Sequence, residues 1–256
     1  GSVQSITDLT SGQMRAYHQS HYLAGNIVLA VAGKYEWEPL LELVTKHCSD
    51  WPTGTVARSL PEPHPQPAFK VIRRESSLQE HAMLVSPACS GRHPLRFAAE
   101  ILSVIVGDDS GSRLYWDLVE PGLVESAELS YNEYDGCGAW MSYFSCEPDL
   151  SEKILDRVGK IFAEVNKKGI TAEELERAKN KVCSRIVLRS ERPMGRLGSL
   201  GNNWIYRQEY RTVGDDLQAV KSVTLEQIGE LLKSYPLGEM TTVMIGPREK
   251  VRSVSA

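Results

Sequence analysis

The chain has 256 residues, 41% of them hydrophobic and 24% charged, with a formal net charge of −4. That length and apolar content support a packed core without disulfide or metal staples, and the acidic balance, with no long basic run, argues against nucleic acid as the main partner. No apolar stretch approaches the ~18 residues that a bilayer-spanning helix needs.

Thr10-Ser11-Gly12-Gln13 has the spacing of a capping box, with Leu9 and Met14 at staple positions, and predicts a helix running to about Tyr22. Asn26–Ala32 is a continuous apolar run ending at Gly33 and predicts a buried strand. Glu36–Cys48 predicts a second helix. Trp51–Pro67 holds Pro52, Pro61, Pro63, Pro65 and Pro67 and reads as a stiff linker between two packed units. Beyond it, Phe69–Ile72 and His81–Ser86 predict strands, Pro94–Val106 an apolar helix, Gly107–Ser112 a glycine-rich turn and Arg113–Glu120 a short helix. Glu128–Asn132 and Ala139–Cys146 predict an antiparallel pair around Asp135-Gly136. Leu150–Val165 is amphipathic at helical spacing. Thr171-Ala172-Glu173-Glu174 is another capping box, opening a helix that reaches about Leu188. Arg192–Arg211 is polar and predicted helical in pieces, a last helix starts near Thr224, and Met240–Ile245 predicts a last strand.

The five cysteines, Cys48, Cys89, Cys137, Cys146 and Cys183, are odd in number, and no C-x-x-C occurs. They read as free thiols of a reducing, cytoplasmic compartment. A bridge between Cys137 and Cys146 across the hairpin is the alternative. The opening Gly1-Ser2-Val3-Gln4 lacks an initiator Met and a signal-peptide pattern, as expected of a processed chain whose targeting segment, if any, lies upstream.

The two ends repeat one another. Thr10 through Tyr22 to Gly33 parallels Thr224 through Tyr235 to Gly246: a capping box, a staple pair (Leu9/Met14; Val223/Ile228), a tyrosine near the helix end, a glycine (Gly25; Gly238), then an apolar run closed by glycine. Residues 1–50 are therefore expected to be the C-terminal remnant of a first domain, 51–67 the linker, and 68–256 a complete sister domain, in a chain truncated at its N-terminus.

Three segments in this order resemble the pitrilysin/insulinase/mitochondrial processing peptidase family. They are Tyr22-x-x-x-Asn26 with the apolar run to Gly33, Gly107-Asp108-Asp109-Ser110-Gly111-Ser112-Arg113-Leu114-Tyr115, and Gly169-Ile170-Thr171-x-x-Glu174-Leu175-x-x-Ala178-Lys179. Ala24 stands where the family usually has proline. The resemblance implies an α+β fold: an antiparallel-rich mixed sheet with helices on one face, one complete domain and the C-terminal piece of a homologous one. It implies zinc-dependent peptide hydrolysis in the intact protein. Two histidines of H-x-x-E-H and a distant Glu hold the metal, leave one position for water, and the motif's Glu takes the water's proton.

This chain has no H-x-x-E-H. Its histidines are His18, His21, His47, His64, His81 and His93. His18 and His21 are three apart on a predicted helix and could share a metal, against a solvent-exposed reading. No metal or catalytic residue is therefore assigned here, and zinc is expected in the missing N-terminal domain. Family members often supply an Arg and a Tyr after S-R-L. The corresponding positions are Val119 and Glu125, which leaves Tyr131, Tyr134 or a partner subunit to touch substrate. Gly107 and Gly111 sit in a loop without a Gly-Lys-Ser/Thr and with two carboxylates, Asp108 and Asp109, so a chamber-lining loop fits better than a phosphate loop. The candidate substrate-binding residues are thus Glu125, Tyr131, Tyr134, Gly107 and Gly111. The expected partners are a peptide or unfolded protein and a homologous subunit or second copy, with no nucleic acid and no membrane span. Two functions stay open: the peptide-binding, zinc-free half of a metalloendopeptidase, and a non-catalytic homologue serving as a structural or interaction subunit.

Overall fold

The computed structural model describes residues 1–56 and 65–252. The described residues form two compact units, one of residues 1–56 with 191–208 and the other of residues 65–190 and 209–252. The expected linker falls partly outside the described residues, at 57–64.

The first unit contains helix α1 (Val3–Thr7), helix α2 (Ser11–His21), a 3-10 turn (Ala24–Asn26) and helix α3 (Trp37–Cys48). Thr10 caps α2 as its spacing requires: its hydroxyl accepts from Gln13 N and the Gln13 side chain returns to Thr10 N. None of these elements has a fully buried residue. Asn26–Ala32 is not a strand. Asn26 closes the 3-10 turn, with its side-chain amide on His21 O at 2.9 Å, and Ile27–Leu29 are exposed, Leu29 at 64%. An apolar run becomes a strand only where a neighbour takes up its N–H and C=O groups, and none of the described strands pairs with this segment.

In the second unit the chain runs through β1 (Phe69–Arg73), β2 (Glu80–Ala88), α4 (Arg96–Gly107), a π-helical turn (Tyr115–Val119), β3 (Ser126–Glu133), β4 (Gly138–Cys146), α5 (Ser151–Lys168) and α6 (Ala172–Ser190). Helix α7 (Pro193–Arg207) belongs to the first unit; α8 (Val213–Lys221), α9 (Leu225–Ser234) and β5 (Thr241–Gly246) complete the second. The strands form one mixed sheet in the order β1-β5-β2-β4-β3, parallel only between β1 and β5.

Strict alternation decides which side of the sheet is buried. Ala82, Leu84, Trp140, Phe144, Ala127, Leu129 and Met244 face the helices and join Ile101, Leu102, Ile154, Val158, Phe162, Ile228 and Leu231 in a single core. Two polar pins fix the last segment to it. The Asn166 side chain accepts from Leu237 N and donates to Leu237 O, and the Trp140 indole donates to Tyr235 O at 3.2 Å. Gly107 ends α4 against β3: a Cβ there would lie 2.0 Å from Leu129 N.

Two further features differ from the sequence reading, and of the two cysteine readings the free-thiol one holds. Residues 193–207 form one helix rather than pieces, and α8 was not anticipated although Thr212 and Asp215 cap it reciprocally. Cys137 and Cys146 lie at opposite ends of β4, Cys146 beside Glu80 and Cys137 at the hairpin turn, so they cannot bridge; all five cysteines are free.

Candidate functional site

The side of the sheet away from the helices is partly open: Met83 and Ile245 are exposed, and Val85, Met141, Tyr143 and Val243 are half-buried. Register places His81 beside Ser145 and Ile245, Met83 beside Tyr143 and Val243, and Val85 beside Met141 and Thr241. At the β1 margin Ile72 pairs with Ile245, and at the β3 margin Glu128 and Ser130 pair with Tyr143 and Met141. The result is an apolar shelf (Met83, Val85, Met141, Tyr143, Val243 and Ile245) with a polar rim on β3. Met83 is 40% exposed. At one end of the shelf the His81 imidazole Nδ1 and the Tyr143 hydroxyl lie 2.8 Å apart, their rings stacked. A hydroxyl held this way keeps hydrogen-bonding capacity within an otherwise apolar surface.

These residues were missed at the sequence level. The one available signal was that β2 and β4 carry apolar residues at both parities, which an ordinary one-sided strand does not.

The five sequence-predicted residues do not form one site. Glu125 precedes β3 and is exposed, its carboxylate accepting from Gln79 Nε2 at 2.7 Å. Tyr134 follows β3 at the hairpin turn, 43% exposed. Nine extended residues at ~3.3 Å each set these two about 30 Å apart. Tyr131 is half-buried against Trp140, and its hydroxyl donates to Cys89 O at 2.9 Å. Burial, then Cys89, pushes that phenol well above its usual range. Gly107 is buried against Leu129, whereas Gly111 (φ +70°) has open space where a Cβ would be. Gly111 borders a cavity of about 220 Å³ lined also by Ser112, Trp116, Arg177 and Lys181. Of the S-R-L positions, Val119 packs on the core.

The glycine-rich turn is held by charge. Burial works to raise the Asp108 carboxyl, but Lys181 and Arg185 together hold it below the usual range. Next to it Arg113 grips Glu174 through Nε and Nη2 at 2.8 and 3.0 Å and donates to Gly169 O. Thus the S-R-L arginine ties the second and third motifs of the sequence together in a bidentate, partly buried pair.

Two carboxylates sit in costly places. Glu80 is fully buried at the end of β2, its carboxylate occupying the space left by the absent side chain of Gly246. Burial raises its pKa against the pull of the Arg248 backbone N–H and guanidinium, and its Oε1 has no hydrogen-bond partner among the described residues. The neighbouring Cys146 thiol is pushed up to about 11 by burial, then by Glu80 and Glu147. On α4, Glu100 is pushed up to about 7 by burial, then by Glu133 and Asp216, against Arg189 and Arg96.

No group of three or more metal-ligating side chains gathers among the described residues. His18 and His21 stack on Tyr22 and Tyr17 along α2. No described helix is long and apolar enough to cross a membrane.

The profile of the family described as the peptidase M16 inactive domain matches residues 8–182. An uncharacterized zinc protease of Mycobacterium leprae is 25% identical over 255 residues, covering 96% of this chain and 57% of the relative. One from Bacillus subtilis is 21% identical over 250 residues, covering 96% of this chain and 60% of the relative. The crystal structure of a peptidase M16 inactive domain from Pseudomonas fluorescens superposes with a TM-score of 0.88 at 25% identity, over 100% of this chain and 61% of that one. The chain thus spans about three-fifths of the length of the relatives it matches.

Proposed function

The chain belongs to the peptidase M16 inactive-domain family, and from that premise we propose that it is the peptide-binding, zinc-free portion of a zinc-dependent metalloendopeptidase. The observation that carries the reading is the open apolar side of the sheet. A surface of Met83, Val85, Met141, Tyr143, Val243 and Ile245 offers non-directional contact to side chains of any extended, unfolded peptide. The zinc and the H-x-x-E-H that holds it would come from a homologous module outside these residues, and the substrate from a peptide or unfolded protein. A homologous subunit or second copy would close the chamber over this wall.

Residues 1–50 would be the end of that sister module. Two points support this: α2 and α9 share a reciprocal Thr/Gln cap and a tyrosine at the C-cap, and the apolar Ile27–Ala32 would then find the sheet it lacks here. The free thiols support a reducing, cytoplasmic setting.

The test is anisotropy of a fluorescent, unstructured Leu/Phe-rich peptide on the chain. Met83→Glu should weaken binding about tenfold or more, since one buried apolar side chain supplies roughly 1.5–3 kcal/mol. Unchanged affinity would refute the open face as the site. Metal analysis of the same chain should find no stoichiometric zinc.

A second reading, a non-catalytic structural subunit, is favoured by Val119 and Glu125. One packs against the core and the other is tied to Gln79. Adding this chain to the H-x-x-E-H-bearing module separates the two, because only the first reading requires peptide cleavage to rise.

A further inference from the structure

Among the described residues β1 is bound on one side only, by β5. Thr242 N donates to Ala68 O and Arg74 N donates to Gly246 O. In a parallel pair with Phe69 beside Thr242, this alternation turns the N–H and C=O of Lys70 and Ile72 toward β5. The same groups of Phe69, Val71 and Arg73 point to the other side, where no strand pairs with them among the described residues. The side chains of Phe69 and Val71 pack on the core, so the strand is anchored while this edge stays unused.

The charge along this edge is one-sided. Lys70, Arg73 and Arg74 face a single acid, Glu75, which pairs with Arg73 at 3.1 Å. Lys70 and Arg74 have no ion-pair partner among the described residues. This runs against the chain's net charge of −4. It also sets β1 apart from the opposite margin, where β3 carries Glu128 and Glu133. Two copies meeting through β1 would bring like charges together, which disfavours self-pairing.

We infer that the outer edge of β1 docks an extended acidic segment of a partner protein, which adds as a sixth strand. The backbone groups of Phe69, Val71 and Arg73 would supply sequence-tolerant pairing, and Lys70 and Arg74 the preference for carboxylates.

The probe is a blocked, fluorescent peptide of alternating Glu and Val, with a Lys-for-Glu peptide as its counterpart, titrated by anisotropy against the full chain. The acidic peptide should bind saturably and more weakly as salt rises, and the lysine peptide should not bind. Val71→Pro removes an N–H that the sheet does not use, which an edge strand tolerates. It should cut affinity about tenfold, the equivalent of one to two net backbone hydrogen bonds. Bound peptide should slow amide exchange at Val71 and Arg73. Lys70→Glu combined with Arg74→Glu touches no core residue and should reverse the peptide preference; it decides the matter if Val71→Pro does not fold. Absence of saturable binding by the acidic peptide, equal binding by the lysine peptide, or full affinity in folded Val71→Pro would each overturn the assignment.

Discussion

Replacing Gly246 by alanine puts a methyl where the Glu80 carboxylate lies. The added Cβ would sit 2.1 Å from Oε2, 2.3 Å from Cδ and 2.7 Å from Oε1, against roughly 3.5–4.0 Å for relaxed contact. The carboxylate would have to move by more than an ångström, and Glu80 is fully buried. Overpacking of this kind costs roughly 1–3 kcal/mol. The backbone at Gly246 is not at positive φ, so alanine itself is tolerated there. Where the clash is absent, losing a glycine should stabilise by about 0.5–1 kcal/mol. Gly246→Ala should therefore destabilise the native chain by about 2 kcal/mol and slightly stabilise the Glu80→Ala variant, an inversion of sign. Thermal denaturation followed by circular dichroism reads it: about 2 kcal/mol corresponds to roughly 4–8 °C for a domain of this size. An equal loss in both backgrounds would refute the reasoning, because the obstruction would then be backbone rather than the Glu80 side chain.

Gly107→Ala meets backbone, with Leu129 N 2.0 Å and Leu129 Cα 2.7 Å from the new Cβ; it should cost about 3 kcal/mol or more or abolish soluble expression, visible in the same melts. Glu100, raised to about 7, binds its proton more tightly folded than unfolded. Its stabilising contribution is present below the unfolded value near 4.5 and lost as pH rises to about 7. Glu100→Gln should thus raise stability at pH 8 by roughly 1–3 kcal/mol and change little at pH 4, which urea titrations at the two pH values will show. Tyr131→Phe removes the hydroxyl that donates to Cys89 O and should lower stability by about 1 kcal/mol while leaving binding to the open face unchanged in the anisotropy assay.

Much of the fold was legible because it is local. The spacing of Leu155, Val158, Phe162 and Val165 marks α5, and the Thr/Gln and Thr/Glu boxes start α2, α9 and α6 where the residues say they should. Helix α8 carried the same kind of signal in Thr212 and Asp215, masked by the polar stretch before it. Asn26–Ala32 could not be read correctly, because an apolar run does not state whether a partner strand is at hand. The site was less legible. Glu125 was placed by counting from S-R-L and Tyr134 as a substitute for the missing tyrosine, yet β3 holds them at its two ends. The open shelf arises from register among β5, β2 and β4, which no local pattern encodes. Glu80 lies in a polar run beside Gln79 and His81, and only the missing side chain of Gly246, far along the sequence, makes room for it.

The position of β5 has a consequence for how the molecule is assembled. It is the last of the described strands, yet it stands between β1 and β2. During synthesis the β3–β4 hairpin can close at once and β2 can join it, while β1 must wait until Thr241–Gly246 has been made before its only described partner arrives. Closing so long a loop is slow and entropically costly, so β1 should be the latest strand to acquire amide protection in refolding. A ribosome stalled before Thr241 would leave β1, made long before, without its described partner.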